Sequence, residues 1–178
     1  MRSFDLIIDG KVRKSEKRVI KSPFDGSDVG EVAVAEEAEI EEATQAAVRA
    51  AEEMAALPRH ARVKILRDTA HRLIRHQDEL GEIICDEAGK PITYAKAEAA
   101  RAVATFNASA DLLTTRGDET IPIDCVPHGE GRTGFVQRVP LGAIVGISPF
   151  NFPLNLSGHK VAPSIAAGNA MVLKPASI

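Results

Sequence analysis

The segment covering residues 140–174 constrains the fold of this chain more than any other. It contains two short apolar runs, Ala143–Ile147 and 171–173, separated by a segment of helical length. Each run ends in a polar turn that contains proline, at residues 148–153 and 174–177. Strand, turn, helix and strand in this order form the unit of an open parallel sheet, which binds ligands beyond the carboxyl ends of its strands. The sequence therefore predicts an α/β fold with a ligand site at these two turns.

The same segment resembles the aldehyde dehydrogenase superfamily. A Pro-Phe-Asn-Phe-Pro turn (149–153), an Ala-Ala-Gly-Asn turn (166–169) and a Lys-Pro turn (174–175) occur in the order and spacing of that family. The rest of the chain resembles the N-terminal part of the same proteins. Phe150 stands where many members carry Trp, as in the branch that includes lactaldehyde and non-phosphorylating glyceraldehyde-3-phosphate dehydrogenases. The resemblance implies NAD(P)-dependent oxidation of an aldehyde to a carboxylic acid. It also implies an N-terminal portion of a Rossmann-type cofactor domain, with a helical flank and an oligomerisation hairpin.

Asn151 is the candidate catalytic residue. The resemblance places the family's oxyanion-hole asparagine at this position, between Phe150 and Phe152. A side-chain amide N–H is a suitable preorganised donor for the oxyanion that forms when a thiolate adds to an aldehyde. The alternative is that Asn151 only caps the helix that follows it, which is a common role of asparagine.

The resemblance also implies a cofactor crevice between the two turns. Lys174 takes the place of a family lysine that contacts the adenosine ribose, although a solvated lysine at a strand end is the alternative. Ser177 stands where many NAD-preferring members carry Glu. Because a neutral hydroxyl does not repel a 2′-phosphate, we expect NADP to be used at least as well as NAD. The nicotinamide side of the crevice would be lined by Ile147, Ser148, Pro149 and Phe150.

The two cysteines, Cys85 and Cys125, are interpreted as packing residues, because neither has a His or carboxylate pattern typical of an activated thiol. In the resembled family the nucleophilic Cys and the general-base Glu lie well beyond the Lys-Pro turn. We therefore expect the 178 residues alone to be inactive. The alternative is a non-catalytic, truncated homologue that acts as an association module through its hairpin or sheet edge. The spacing of the histidines predicts no metal site.

Three parts are expected along the chain. Residues 1–117 would form the N-terminal strands and the helical part of the cofactor-binding domain, and residues 118–139 a hairpin of the oligomerisation type. Residues 140–178 would form the first strand–turn–helix–strand unit of the cofactor-binding sheet. Within the first part, hydrophobic periodicity and Pro and Gly breakers predict short strands before Val34 and helices over residues 36–57, 59–87 and 91–116.

Composition excludes several other classes of protein. A net charge of −3 with interspersed charges does not suggest nucleic-acid binding. The apolar runs are too short to span a bilayer, and Asp5 and Asp9 interrupt any signal-peptide core. We therefore expect a cytoplasmic protein with a small-molecule aldehyde as substrate, no nucleic-acid or membrane partner, and assembly into a homo-oligomer.

Overall fold

Short strands occupy the start of the chain, as the sequence predicts. The computed structural model describes residues 2–176, and its first strands are β1 (Arg2–Phe4), β2 (Leu6–Ile8), β3 (Lys11–Arg13), β4 (Lys17–Lys21) and β5 (Asp28–Ala33). Strands β2 and β3 form an antiparallel hairpin whose turn residues, Asp9 and Gly10, both have positive φ. Strand β5 pairs with β1 in parallel and with β4 in antiparallel orientation.

The helical flank has one more break than the sequence indicates. Its helices are α1 (Glu37–Ala56), α2 (Arg59–Arg75), α3 (Gln77–Ala88) and α4 (Ile92–Thr115). The expectation of one helix over residues 59–87 is wrong, because His76 leaves helical geometry with φ −106° and ψ 12°. Both α2 and α3 pack against α4, so the apolar stripe continues across the junction and conceals it. Gly89 ends α3 in the left-handed conformation, as expected of glycine at this position.

The expected hairpin is present but short. Strands β6 (Glu119–Ile121) and β7 (Gly134–Val136) pair in antiparallel orientation. Residues between them form two short 3₁₀ turns rather than longer strands. Pro122 directly follows β6, and a proline has no backbone N–H with which to continue the ladder.

The strand–helix–strand unit is confirmed. Strand β8 (Ala143–Ile147), helix α5 (Pro153–Ala167) and strand β9 (Ala170–Lys174) follow in that order, and the two strands are parallel neighbours. Gly168 ends α5 with φ +81°. The buried Asn169 then accepts hydrogen bonds through Oδ1 from the backbone N–H groups of Leu141 (2.7 Å) and Gly142 (3.1 Å). This side chain joins the start of β9 to the start of β8 and fixes their relative position.

The core lies where α2, α4 and α5 pack together. Its buried members are mostly small and aliphatic, and they comprise Leu66, Ala70, Val103, Phe106, Ala110, Ala162 and Ala166. Small side chains allow the helices to approach closely, so α5 is held firmly against α4. Over residues 2–176, no helix is both long enough and apolar enough to cross a membrane.

Candidate functional site

The two predicted turns meet at the carboxyl edge of β8 and β9. Ile147 is paired in register with Lys174, and the backbone N–H of Ser148 donates to the Lys174 carbonyl at 3.1 Å. Both Ile147 and Lys174 are exposed at this edge. The ammonium of Lys174 donates to the carbonyl of Pro175 at 2.8 Å. The structure therefore brings Ile147, Ser148 and Lys174 together, whereas Ser177 lies outside the described residues.

The side chains of the first turn point in different directions. Ser148 is buried, and its Oγ accepts a hydrogen bond from the Ser157 hydroxyl of α5 at 3.0 Å. Pro149 and Phe150 are exposed. Among the residues expected to line the nicotinamide side, Ile147, Pro149 and Phe150 thus present side-chain surface. The hydroxyl of Ser148 instead joins the turn to α5.

Asn151 is an exposed residue of the first turn. Within the described residues its side-chain amide makes no hydrogen bond, while the Asn151 carbonyl accepts one from Lys90 Nζ at 2.7 Å. Helix α5 begins after Phe152, whose side chain has no polar atom with which to cap it. Asn151 therefore does not act as the helix cap, and its side-chain N–H groups are not engaged by another described residue.

A carboxylate from another helix caps α5 instead. Glu98, on α4, is 1% exposed, and its Oε1 accepts hydrogen bonds from the backbone N–H groups of Leu154 (3.0 Å) and Asn155 (3.2 Å). Its Oε2 accepts one from Lys90 Nζ at 2.5 Å. A negative charge at this end of a helix also interacts favourably with the helix dipole.

The opposite end of α5 receives the opposite charge. Arg62, on α2, donates through Nη1 to the Ala166 carbonyl at 2.8 Å. Burial, with a smaller contribution from neighbouring Arg59, lowers the pKa of Arg62 from its ordinary value. A cation at a helix C-terminus is electrostatically favourable, so α5 is stabilised at both ends by side chains from other helices.

Lys90 connects the turn to a neighbouring cavity. Its ammonium lies 4.0 Å from the centre of the Phe152 ring, and the Arg101 guanidinium lies 5.5 Å from the same ring. Both distances are suitable for attraction between a cation and an aromatic face. The cavity has a volume of about 360 Å³ and is lined by Lys90, Tyr94, Ala97, Glu98, Arg101 and Phe152.

Lys90 and Glu98 are not among the residues predicted from the sequence, although the sequence contains one signal for Glu98. Glu98 lies on the apolar stripe of α4, among the buried residues Ala95, Ala99 and Ala102. A carboxylate at such a position is rarely tolerated without a partner. Nothing in the sequence pattern, however, identifies the N-terminus of α5 as that partner.

Neither of the two cysteines lies in this turn. Cys85 is partly buried in α3. Cys125 is exposed, with its Sγ 3.1 Å from the Pro122 carbonyl, so the interpretation of Cys125 as a packing residue is wrong. Its 3₁₀ turn lies at the surface, where the hairpin provides no interior for the thiol to fill. In the part of the chain that the structure describes, no group of three His, Cys, Asp or Glu residues could hold a metal ion.

Comparison with known proteins finds dehydrogenases both by sequence and by structure. The chain is 41% identical to aspartate-semialdehyde dehydrogenase 1 of Pseudomonas canavaninivorans over 89% of its own length and 34% of that protein. It is 37% identical to lactaldehyde dehydrogenase of Methanocaldococcus jannaschii, over 97% of its length and 36% of the relative. The chain thus spans about a third of the curated relatives that it matches.

A solved structure with the same fold is that of the NADP-dependent glyceraldehyde-3-phosphate dehydrogenase of Bacillus halodurans, complexed with NADP. The superposition gives a TM-score of 0.94 at 31% identity and covers 99% of this chain and 38% of that enzyme. The mixed α/β fold is therefore that of the N-terminal part of such enzymes, and the branch expected from Phe150 is among the relatives found. The family model for the aldehyde dehydrogenase family matches residues 11–178. With its motif turns, its parallel strand pair and this match in place, the chain belongs to the aldehyde dehydrogenase family.

Proposed function

We propose that this chain is the N-terminal part of an NAD(P)-dependent aldehyde dehydrogenase in which Asn151 stabilises the oxyanion of the reacting aldehyde. The observation that carries the proposal is that Asn151 is exposed and its side-chain amide makes no hydrogen bond within the described residues, while Lys90 holds its backbone carbonyl. A preorganised N–H donor lowers the energy of the transition state because it meets the negative charge that develops on the carbonyl oxygen. The nucleophilic Cys and the base Glu of the resemblance are assigned to no residue of these 178.

The carboxyl edge of β8 and β9 suits NADP or NAD. Exposed Ile147 and Phe150 offer apolar surface to a nicotinamide ring, and the Lys174 ammonium offers a charge to ribose or phosphate oxygens. When bound there, the cofactor would supply the acceptor for the hydride. The chain's own residues would bind and orient it. In this proposal residues 1–117 and 140–178 belong to the cofactor-binding domain, and residues 118–139 to an oligomerisation hairpin.

The test uses a polypeptide that continues past Ile178 to the length of the relatives. Lactaldehyde, aspartate semialdehyde and glyceraldehyde-3-phosphate are suitable substrates because they are named for relatives of this chain. We expect Asn151→Ala to lower kcat by about a hundred- to a thousand-fold, the usual loss when one oxyanion donor is removed. The KM for the cofactor should change little.

Two results would contradict the proposal. A kcat for Asn151→Ala within a few-fold of wild type would remove Asn151 from the reaction. The 178-residue chain alone should show no turnover with either cofactor. Turnover that survives repurification and is abolished by Cys85→Ser or Cys125→Ser would instead place the nucleophile within these residues.

A second candidate is a non-catalytic association module. Exposed apolar side chains favour it, since Leu141, Val145 and Phe150 are 86%, 66% and 70% exposed, and Phe135 of β7 is 69% exposed. Such surfaces often mark a site of interaction. The two candidates differ in their response to Asn151→Ala, which would leave association unchanged while it removes catalysis.

A further inference from the structure

We propose that Glu98 and Lys90 are positioning residues for Asn151, and that they hold the turn from Ser148 to Phe152 in the geometry the reaction needs. The inference rests on the proposed function of Asn151. It concerns two residues that act through the backbone and do not touch the reacting atoms.

Glu98 and Lys90 form a largely buried pair. The side chain of Glu98 has no exposed surface and that of Lys90 is 15% exposed. A buried charge persists only when its hydrogen-bonding capacity is satisfied. Glu98 achieves this with three donors, Lys90 Nζ and the N–H groups of Leu154 and Asn155. The carboxylate is thus tied to the first turn of α5.

The hydrogen bonds of this pair reach both sides of the start of α5. Lys90 donates to Glu98 and also to the carbonyl of Asn151, so one ammonium links the cap of α5 to the candidate oxyanion donor. The same ammonium lies over the ring of Phe152, the next residue. The pair therefore holds the backbone at Asn151 and at Leu154–Asn155, on both sides of the start of the helix.

Nearby side chains provide few other restraints on this turn within the described residues. Residues 148–152 form no helix or strand, and Phe152 has no polar side chain to cap α5. The hydroxyl of Ser148 holds the beginning of the turn against α5. At Asn151 itself, the contact found within the described residues is that from Lys90 to its carbonyl.

Loss of either residue should therefore move Asn151 without removing it. A displacement of about 1 Å at a reacting group can cost roughly a hundred-fold in rate. We expect Lys90→Met and Glu98→Gln to lower kcat by about ten- to a hundred-fold, with a small change in the KM for aldehyde. Lys90→Arg, which keeps the charge, should recover part of the loss.

The first experiment measures amide hydrogen exchange in the 178-residue chain. In Lys90→Met and Glu98→Gln, amide exchange over residues 150–157 should become faster by about tenfold or more. Local opening there would no longer have to break the hydrogen bonds that Lys90 and Glu98 make, so it would cost less free energy. Exchange in α2 should not change, which shows that the variants are folded. Lys96→Met is the matched control, since it removes an exposed ion pair with Asp78 from the same helix as Glu98. Unchanged exchange over residues 150–157 would overturn the proposal, independently of the activity of the family-length enzyme.

The second experiment is a double-mutant cycle in the family-length enzyme. If Lys90 acts through Asn151, Lys90→Met lowers kcat strongly in wild type but by no more than about two-fold in the Asn151→Ala background. Equal losses in both backgrounds would overturn the proposal, because they would indicate a general structural role. An Asn151→Ala variant as active as wild type would contradict the proposed function instead, and the exchange data would still decide whether the pair holds the turn.

Discussion

Two glutamates on neighbouring helices show how much the surroundings of a carboxylate determine its role. Glu98 is buried with both oxygens paired, and it fixes the start of α5. Glu87, near the end of α3, is also partly buried, but burial raises its pKa above the ordinary value of a glutamate. The attraction of Arg2 opposes this shift without cancelling it. Glu98 is thus held by hydrogen bonds at the start of α5, whereas ionisation of Glu87 weakens the folded state.

Replacement of Glu87 by Gln should change how stability depends on pH. The raised pKa means that the folded state holds the proton more tightly than the unfolded state does. The stability that this supplies is present below the ordinary glutamate pKa and is lost as pH rises through the folded-state pKa. Glu87→Gln should therefore be more stable than wild type above this window, and the difference should shrink toward acidic pH. Urea unfolding at a series of pH values measures it.

Glu82→Gln provides the control, because Glu82 is an exposed residue of the same helix. A difference between Glu87→Gln and wild type that is the same at every pH would contradict the prediction.

Ser177 is expected to influence the choice of cofactor. A 2′-phosphate meets no fixed negative charge from Ser177, and Lys174 is three residues away. A charge-assisted contact contributes about 1.5–3 kcal/mol, enough for a ten- to hundred-fold preference. We expect the family-length enzyme to use NADP at least as well as NAD, and Ser177→Glu to shift kcat/KM toward NAD. Ser177→Gln adds the same bulk without charge and should shift it less. A wild-type enzyme that is strongly selective for NAD would indicate that other residues determine the choice of cofactor.

At the scale of the elements, the sequence predicts those helices and strands whose boundaries are marked by local residue patterns. The parallel unit of β8, α5 and β9 was predictable because apolar runs and Pro and Gly turns mark its boundaries. The break at His76 was not, since α2 and α3 present one continuous stripe to the same partner. Asn151, Ile147 and Lys174 could be selected from motif turns. Glu98 could not be linked to α5, because the two partners of that contact are 56 residues apart in sequence.

Gly168, which directly follows α5, should tolerate substitution poorly. Its φ of +81° is strained for any residue with a side chain, and an added Cβ would lie 2.7 Å from Arg62 Nη1. That guanidinium caps the end of α5 through Ala166. We expect Gly168→Ala to lower the free energy of unfolding by about 1–3 kcal/mol, as measured in urea.

Gly131→Ala is the matched comparison for this prediction. Gly131 also has positive φ, but a Cβ added there would have no heavy atom within 4 Å. The substitution should therefore cost less than Gly168→Ala. Equal losses would mean that backbone strain alone, and not the contact with Arg62, determines the effect.

At the scale of the whole molecule, the exposed apolar surface of the β8 edge is the main feature. Leu141, Val145, Ile147 and Phe150 are 86%, 66%, 64% and 70% exposed. Strand β8 pairs with β9 on one side, and within residues 2–176 it has no strand on the other. An apolar edge of this kind is prone to pair with another chain.

The 178-residue chain should therefore self-associate, and a charge on β8 should reduce this. We expect Val145→Lys to lower the average mass seen by light scattering at a given concentration, together with binding of an apolar dye. Val48→Lys is the control, because Val48 is 55% exposed on α1. A wild-type chain that stays monomeric over a wide concentration range without binding the dye would contradict the prediction.

The capping of α5 by Glu98 also makes the start of this helix depend on a distant part of the chain. The group that completes the first turn of α5 belongs to a helix made much earlier in synthesis, so α5 gains this support only after α4 has docked. Formation of the turn from Ser148 to Phe152 is therefore coupled to correct packing of the helical flank. A molecule with a misplaced α4 would also lack the hydrogen bonds that Glu98 accepts from the start of α5.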